Sequence, residues 1–227
     1  MFGKPNNDRK RGLRERSDAI EEPIRLNRRA ARRAETKAEI IGAAWDLVRE
    51  HGLAGLAMRD LGARVGMRAQ SIYSYYDSKR EIYDAMFHEG CLAFTVRIEE
   101  AAADSHAADP VERARAMAHL FFEFCTTDPV RYQLLFQRTI PDFVPSEESF
   151  AVALGAYEMI VDQLGELGIT DPDAIDLWTA MLTGLTDQQI SNDPGGDRWE
   201  RLIDRAVDAT LRGIAPHLFS TRQGHDS

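Results

Sequence analysis

The stretch VGMRAQSIYSYYDSKREIY, residues 65–83, decides the fold. Three tyrosines, Tyr73, Tyr75 and Tyr76, fall within four positions, beside Gly66, Gln70, Ser71, Ser74 and Lys79. Two short helices that cross steeply need a small residue where their backbones meet and a turn residue that tolerates positive φ. Gly62 and Gly66 supply both. The inner positions must be apolar to hold the second helix out toward solvent. Leu61, Val65, Met67, Ile72 and Tyr75 or Tyr76 form that inner set. The pattern predicts a helix-turn-helix, its first helix over residues 58–65 and its second starting at Arg68 or Ala69.

The outer face of that second helix is Arg68, Ala69, Gln70, Ser71, Tyr73 and Ser74. These side chains suit a DNA major groove. Gln reads adenine bidentately, Arg reads guanine, Ser bonds either, and Ala touches the thymine methyl. A helix of about 10 Å, at 1.5 Å per residue, fits a groove about 12 Å wide. Tyr73 and Tyr75 add phenols, of which Tyr73 is placed to reach a phosphate while its ring packs on the scaffold. Lys79 is a compact cation for the same backbone, and Arg59 is a third phosphate candidate.

Upstream, Thr36 and Glu39 have the spacing of a capping box, followed by Ile40, Ala44, Leu47 and Val48 at helical intervals and Gly52 as a left-handed stop. Residues 1–22 are polar and read as a disordered arm. Pro23 suits a first helical turn and could extend the next helix backwards. Downstream, a fourth helix starts at Ser78 or Lys79 and runs past Phe94. Asp109-Pro110, Asp128-Pro129 and Asp171-Pro172 each pair an N-capping carboxylate with a proline preset for the first turn. Ile175, Trp178, Leu182 and Leu185 make one apolar stripe. Trp199, Leu202, Ile203, Ala206, Val207, Leu211 and Ile214 make another, with Asp197 and Glu200 resembling a second capping box. No strand alternation and no repeat is visible. The expectation is an all-α chain of about nine helices.

Charge divides the chain. The net charge of -9 conceals 18 Lys/Arg against 11 Asp/Glu in residues 1–80, and 10 against 26 in residues 81–227. A basic end on an acidic body is the footprint of a polyanion-binding module. No run approaches the roughly 18 apolar residues of a membrane helix, and no apolar segment follows the basic start as in a signal peptide. Cys91 and Cys125 make no disulfide framework, so a cytoplasmic location is expected.

The segment GLAGLAMRDLGARVGMRAQSIYSYYDSKREIYDAM resembles the DNA-binding region of the TetR (tetracycline-repressor-like) family of bacterial transcription regulators. There a helix-turn-helix is followed by a pattern like Leu-Tyr-x-His-Phe-x-x-Lys. Here IYSYYDSK matches it through Ile72, Tyr73, Tyr75, Tyr76 and Lys79, and the likeness covers roughly residues 36–90. It differs in four ways. Leu56 and Ala57 stand where the second helix is commonly capped by Ser or Thr, Gly62 replaces the usual Ala, Tyr75 the usual His, and Asp77 adds a negative charge. The resemblance implies three parts: a flexible basic arm (1–33), a helix-turn-helix domain (34–80), and a ligand-binding and dimerisation domain (81–227). It further implies a repressor that leaves a palindromic operator when a small-molecule effector binds, and a homodimer joined through the last two helices.

Arg28, Arg29, Arg32 and Arg33 are expected to add affinity by entering the adjacent minor groove. Phe121, Phe124, Phe136, Trp178, Met181 and Gln188 are the candidate wall of a pocket for an apolar or amphipathic ligand. No cofactor, catalytic group or membrane partner is expected. Two alternatives stand beside this reading. Asp84, His88 and Cys91 share one face of the fourth helix and are metal-ligand types, which would suit a metal-dependent hydrolase. The other is a dimeric ligand- or protein-binding module that binds no DNA.

Overall fold

The computed structural model describes the backbone of residues 7–105 and 109–223 and the side chains of residues 28–102 and 109–219. Among the described residues there are nine α-helices and no strand: α1 (Asn7–His51), α2 (Met58–Arg64), α3 (Ala69–Ile72), α4 (Lys79–Ser105), α5 (Pro110–Thr127), α6 (Pro129–Phe136), α7 (Glu147–Glu166), α8 (Pro172–Asn192) and α9 (Ile203–Ile214).

α1 is already helical at Asn7, through the segment expected as an arm. Thr36 therefore has a preceding turn to bond. Its Oγ1 donates to Arg32 O at 3.0 Å, and the Thr36–Glu39 capping box does not form. The helix stops as expected. Gly52 sits at φ 75° and its N–H reaches Val48 O at 2.8 Å. All three Asp-Pro pairs cap their helices, Asp109 accepting from Val111 N, Asp128 from Arg131 N and Asp171 from Asp173 N.

The second expected box, Asp197 with Glu200, is absent. Asp197 gives only its carbonyl, to Arg201 N at 3.1 Å. The turn is instead organised by Gln189, whose Nε2 donates to Asp193 O and Gly196 O while its Oε1 accepts from Trp199 N. A buried amide with all its main partners inside one turn does the work that a cap does on a free helix end.

Two apolar cores result. One, around Ile40, Ala44, Val48, Leu61, Ile72 and Met86, holds the first three helices on the start of α4. The other, around Phe121, Leu164, Trp178, Ile203 and Leu211, holds α5, α7, α8 and α9. The stripes on α8 and α9 expected to meet a second copy are therefore occupied. Trp178 is 1% exposed, and Ile203, Val207 and Leu211 are fully buried, all within their own domain. Periodicity shows that a stripe is buried; it does not say by what.

The two cores are tied together at three points. Arg49 at the end of α1 donates through Nε and Nη2 to Asp128 Oδ2, at 3.0 and 2.9 Å. Asp84 of α4 accepts from Ser146 N, Ser146 Oγ and Ser149 Oγ at 2.7, 2.8 and 2.9 Å, fixing the start of α7. The connector between α6 and α7 lays Phe143 edge-on against Tyr83 and Phe87, ring centres 6.0 and 6.3 Å apart.

Candidate DNA interface and interior cavity

The turn between α2 and α3 is built as its glycines require. Met67 N–H bonds Gly62 O at 2.8 Å and Gly66 N–H bonds Ala63 O at 3.4 Å, with Gly66 at φ 68°. This pairing closes a helix through a left-handed residue. A Cβ on Gly62 would lie 2.7 Å from Met67 O and 3.0 Å from Ala69 N, so here the backbones of α2 and α3 do meet. Ala57 begins α2 without a side-chain cap. Ser78 and Glu81 do cap α4, Ser78 Oγ accepting from Glu81 N and Glu81 Oε2 accepting from Asp77 N.

Regular helix in α3 covers only Ala69–Ile72, shorter than the expected 10 Å rod; turn bonds from Ser74 N to Ser71 O and from Tyr75 N to Ile72 O carry the segment on. Arg68, Gln70, Ser71, Tyr73 and Ser74 are exposed, Ala69, Tyr75 and Lys79 half-buried, and Ile72 and Tyr76 buried beneath them. Ser74 Oγ spends its proton on Ser71 O, leaving it an acceptor. Arg59 is fully outward, beside Asp60.

The tyrosines divide by role. Tyr73 points out, 41% exposed. Tyr76 is packed inside and its hydroxyl donates to Lys37 O at 3.3 Å; burial pushes its phenol up to about 12. Tyr75 lies under Arg33, whose guanidinium sits 4.9 Å from the ring centre and donates to Ser74 O at 2.7 Å. Arg33 thus braces the exposed segment against α1. Lys79 Nζ stands 5.3 Å from the Tyr83 ring, and partial burial lowers its pKa. Arg28, Arg29 and Arg32 are exposed on α1. They ride on a helix, and a helix about 10–12 Å across does not enter a minor groove about 6 Å wide.

Between α4, α5, α7 and α8 lies an apolar cavity of about 240 Å³, continuous in its lining with a second of about 40 Å³. Phe94, Phe121, Ile160, Trp178 and Leu182 line both. Of the expected wall, Phe121, Phe136 and Trp178 are present. Phe124 is turned away under Arg131, 4.0 Å from its ring centre, Met181 packs in the core, and Gln188 is exposed and accepts from Asn192. Phe94 and Ile160 were missed, although Phe94 lies one turn beyond Cys91, which also lines the cavity. Arg113, at one end, gave no signal in the sequence.

Asp84, His88 and Cys91 do not converge. Asp84 serves Ser146 and Ser149, Cys91 lines the cavity with its thiol pushed up to about 12 by burial, and among the described residues no three His, Cys, Asp or Glu are placed to hold a metal. Among the described residues no helix is long and apolar enough to cross a membrane.

An exposed polar segment braced over a helix-turn-helix, joined to a helical domain with an apolar cavity, defines a two-part architecture of DNA-reading type. Residues 40–86 match the family model described as bacterial regulatory proteins, tetR family. The HTH-type transcriptional regulator Rv1816 of Mycobacterium tuberculosis is 26% identical over 158 residues, covering 65% of this chain and 66% of that protein. The match thus spans just under two thirds of that relative. The regulatory protein SCO4313 superposes with a TM-score of 0.67 at 19% identity, over 80% of this chain and 98% of that one. The transcriptional regulator FadR from Bacillus subtilis, solved with stearoyl-CoA, gives 0.58 at 19% identity, over 78% and 98%. The tetR family match therefore rests on residues 40–86, which hold the end of α1, α2, α3 and the start of α4, and the solved regulators above share the fold of the whole.

Proposed function

We propose that the protein is a cytoplasmic, homodimeric transcriptional repressor that binds a palindromic operator and releases it when a lipophilic effector fills the cavity. One observation carries this: Arg68, Gln70, Ser71 and Tyr73 stand exposed on an apolar floor of Ile72 and Tyr76, flanked by Lys79 and Arg59. Gln70 and Arg68 read base edges in the major groove; Tyr73, Lys79 and Arg59 hold phosphates. Arg28, Arg29 and Arg32 grip flanking phosphates from α1, and Arg33 acts indirectly by bracing Tyr75. The two copies meet through the outward faces of the last two helices, where α8 presents Leu177, 58% exposed, with the small Ala180 and Gly184. Paired half-sites then lie about 34 Å apart. The stearoyl-CoA bound to the FadR relative supports a lipophilic effector.

Selection of bound sequences from genomic DNA, followed by fluorescence anisotropy on the recovered site, tests the reading. Gln70→Ala relaxes preference at one base pair by about 1–3 kcal/mol. Lys79→Ala weakens all sequences alike and lowers the salt slope by about 0.9. A purified protein with no preference for any duplex over random competitor would sink the proposal.

A further inference from the structure

The cavity has two chemically different ends. At one end Arg113 and Gln163 line it; at the other, Phe136, Tyr157, Thr179 and Thr183. Thr179 and Thr183 each donate their hydroxyl proton to a carbonyl one turn back, Ile175 O and Thr179 O, at 2.9 Å, so those hydroxyls have little left to give a charged group, and the described lining of that end adds the Tyr157 phenol but no cation. Among the described residues, Arg113 is the one formally charged residue in either lining, and no described carboxylate joins it there. Its side chain is mostly covered, 21% exposed, and its guanidinium is paired with Glu166, whose side chain at 64% exposed is mostly in water. An ion pair with one member so exposed contributes little and is readily exchanged.

The length follows from the helices. The lining runs from Cys91 to Ala101 on α4 and from Ala153 to Gln163 on α7, a rise of about 15 Å on each at 1.5 Å per residue. An extended chain of about a dozen carbons, with C–C bonds of about 1.5 Å laid in zigzag, fills that length.

Building on the effector-cavity reading above, we infer that the cavity takes a medium-chain aliphatic monocarboxylate, its tail between Phe94 and Trp178 and its carboxylate on Arg113 in place of Glu166. The planar guanidinium fork matches two carboxylate oxygens. A single cation neutralises a single charge; a dianion would leave its second charge beside Glu166.

Isothermal titration of the full-length protein with dodecanoate and with dodecanol tests this. Dodecanoate binds about tenfold more tightly, as a hydrogen-bonded charge on Arg113 requires. Arg113→Gln abolishes that preference while retaining dodecanol binding, which also certifies the fold of the variant. Glu166→Gln strengthens dodecanoate about threefold and leaves dodecanol unchanged. Equal affinities in the parent protein, a preference that survives Arg113→Gln, or weaker dodecanoate binding to Glu166→Gln overturns the headgroup assignment and leaves the apolar cavity standing. Failure of both probes to bind overturns the cavity reading itself.

Discussion

Asp84 separates an anchor from a metal ligand, and its replacement has a calculable cost. Asp84→Ala removes the acceptor of three hydrogen bonds, from Ser146 N, Ser146 Oγ and Ser149 Oγ. A hydrogen bond to a charged group contributes about 1.5–3 kcal/mol when dry. Ser146 is exposed, so water replaces most of its two bonds; Ser149 is 2% exposed and keeps Ser146 Oγ, 3.1 Å away, and a long bond to the main-chain carbonyl of residue 84 at 3.5 Å. The net loss is about 2 kcal/mol, or about 4–8 °C in Tm for a chain of this size. Asp84→Asn keeps one acceptor oxygen but turns an amide N–H2 toward donors, for about half that cost. Thermal unfolding followed by circular dichroism reads both. His88→Ala shifts Tm by about 1 °C or less, because His88 takes no part in the anchor. If His88→Ala and Asp84→Ala fall together, or Asp84→Ala leaves Tm unmoved, the anchor account fails.

Three other outcomes follow from the same geometry. Gly62→Ala gains about 1 kcal/mol of helix propensity but forces apart two backbones, costing about 1–3 kcal/mol. Urea unfolding should show a small net loss, and anisotropy a drop of about tenfold in DNA affinity as α3 shifts; a more stable variant with unchanged affinity refutes the close approach. Arg49→Ala leaves the Asp128 carboxylate, 8% exposed, without its ion pair; because Arg49 itself is half in water the loss is about 1–2 kcal/mol, discounted from the buried-pair range. Urea midpoints equal to the parent's would show that this link between the two domains carries no weight. The Cys91 thiol, raised by burial from its ordinary 9.0 to about 12, keeps about a thousandth of its usual thiolate near pH 8. Iodoacetamide should therefore label the native protein about a thousandfold more slowly than the urea-unfolded chain, and comparable rates would contradict the burial.

The helix-turn-helix was legible because several local constraints fall on few residues. Gly62, Gly66, Leu61 and Ile72 each do what their size or backbone freedom demands, and a chain with those residues in that order has few other ways to fold. Asp-Pro caps were legible for the same reason, since donor and acceptor lie two or three residues apart. The capping box at Thr36 failed because the sequence rule supposes a free helix end, and α1 supplies a preceding turn instead. The dimer stripes failed differently. Ile203, Val207 and Leu211 declared a buried face, but α5 and α8 bury it, and tertiary partners leave no trace in periodicity. Arg113 and Asp84 were illegible as site and anchor because their meaning lies in Glu166 and Ser146, which stand 53 and 62 positions along the chain.

A short run of contacts links the cavity to the helix-turn-helix. Phe136 closes the cavity at the end of α6, and the chain leaving it carries Phe143 into the rings of Tyr83 and Phe87. The hydroxyl of Tyr83 donates to Leu53 O at 2.5 Å, in the turn just ahead of α2. From the second side, Asp84, the next residue on α4, holds the start of α7, which itself lines the cavity. A tail that moves Phe136 or spreads α7 from α4 is therefore felt within two contacts of the helix-turn-helix. Contiguity alone transmits nothing: under the proposed release mechanism the effector must bind one packing of these rings better than the other, and that difference would set how far DNA affinity falls. Rings packed edge-on have few intermediate arrangements, which favours a switch with two states over a graded one.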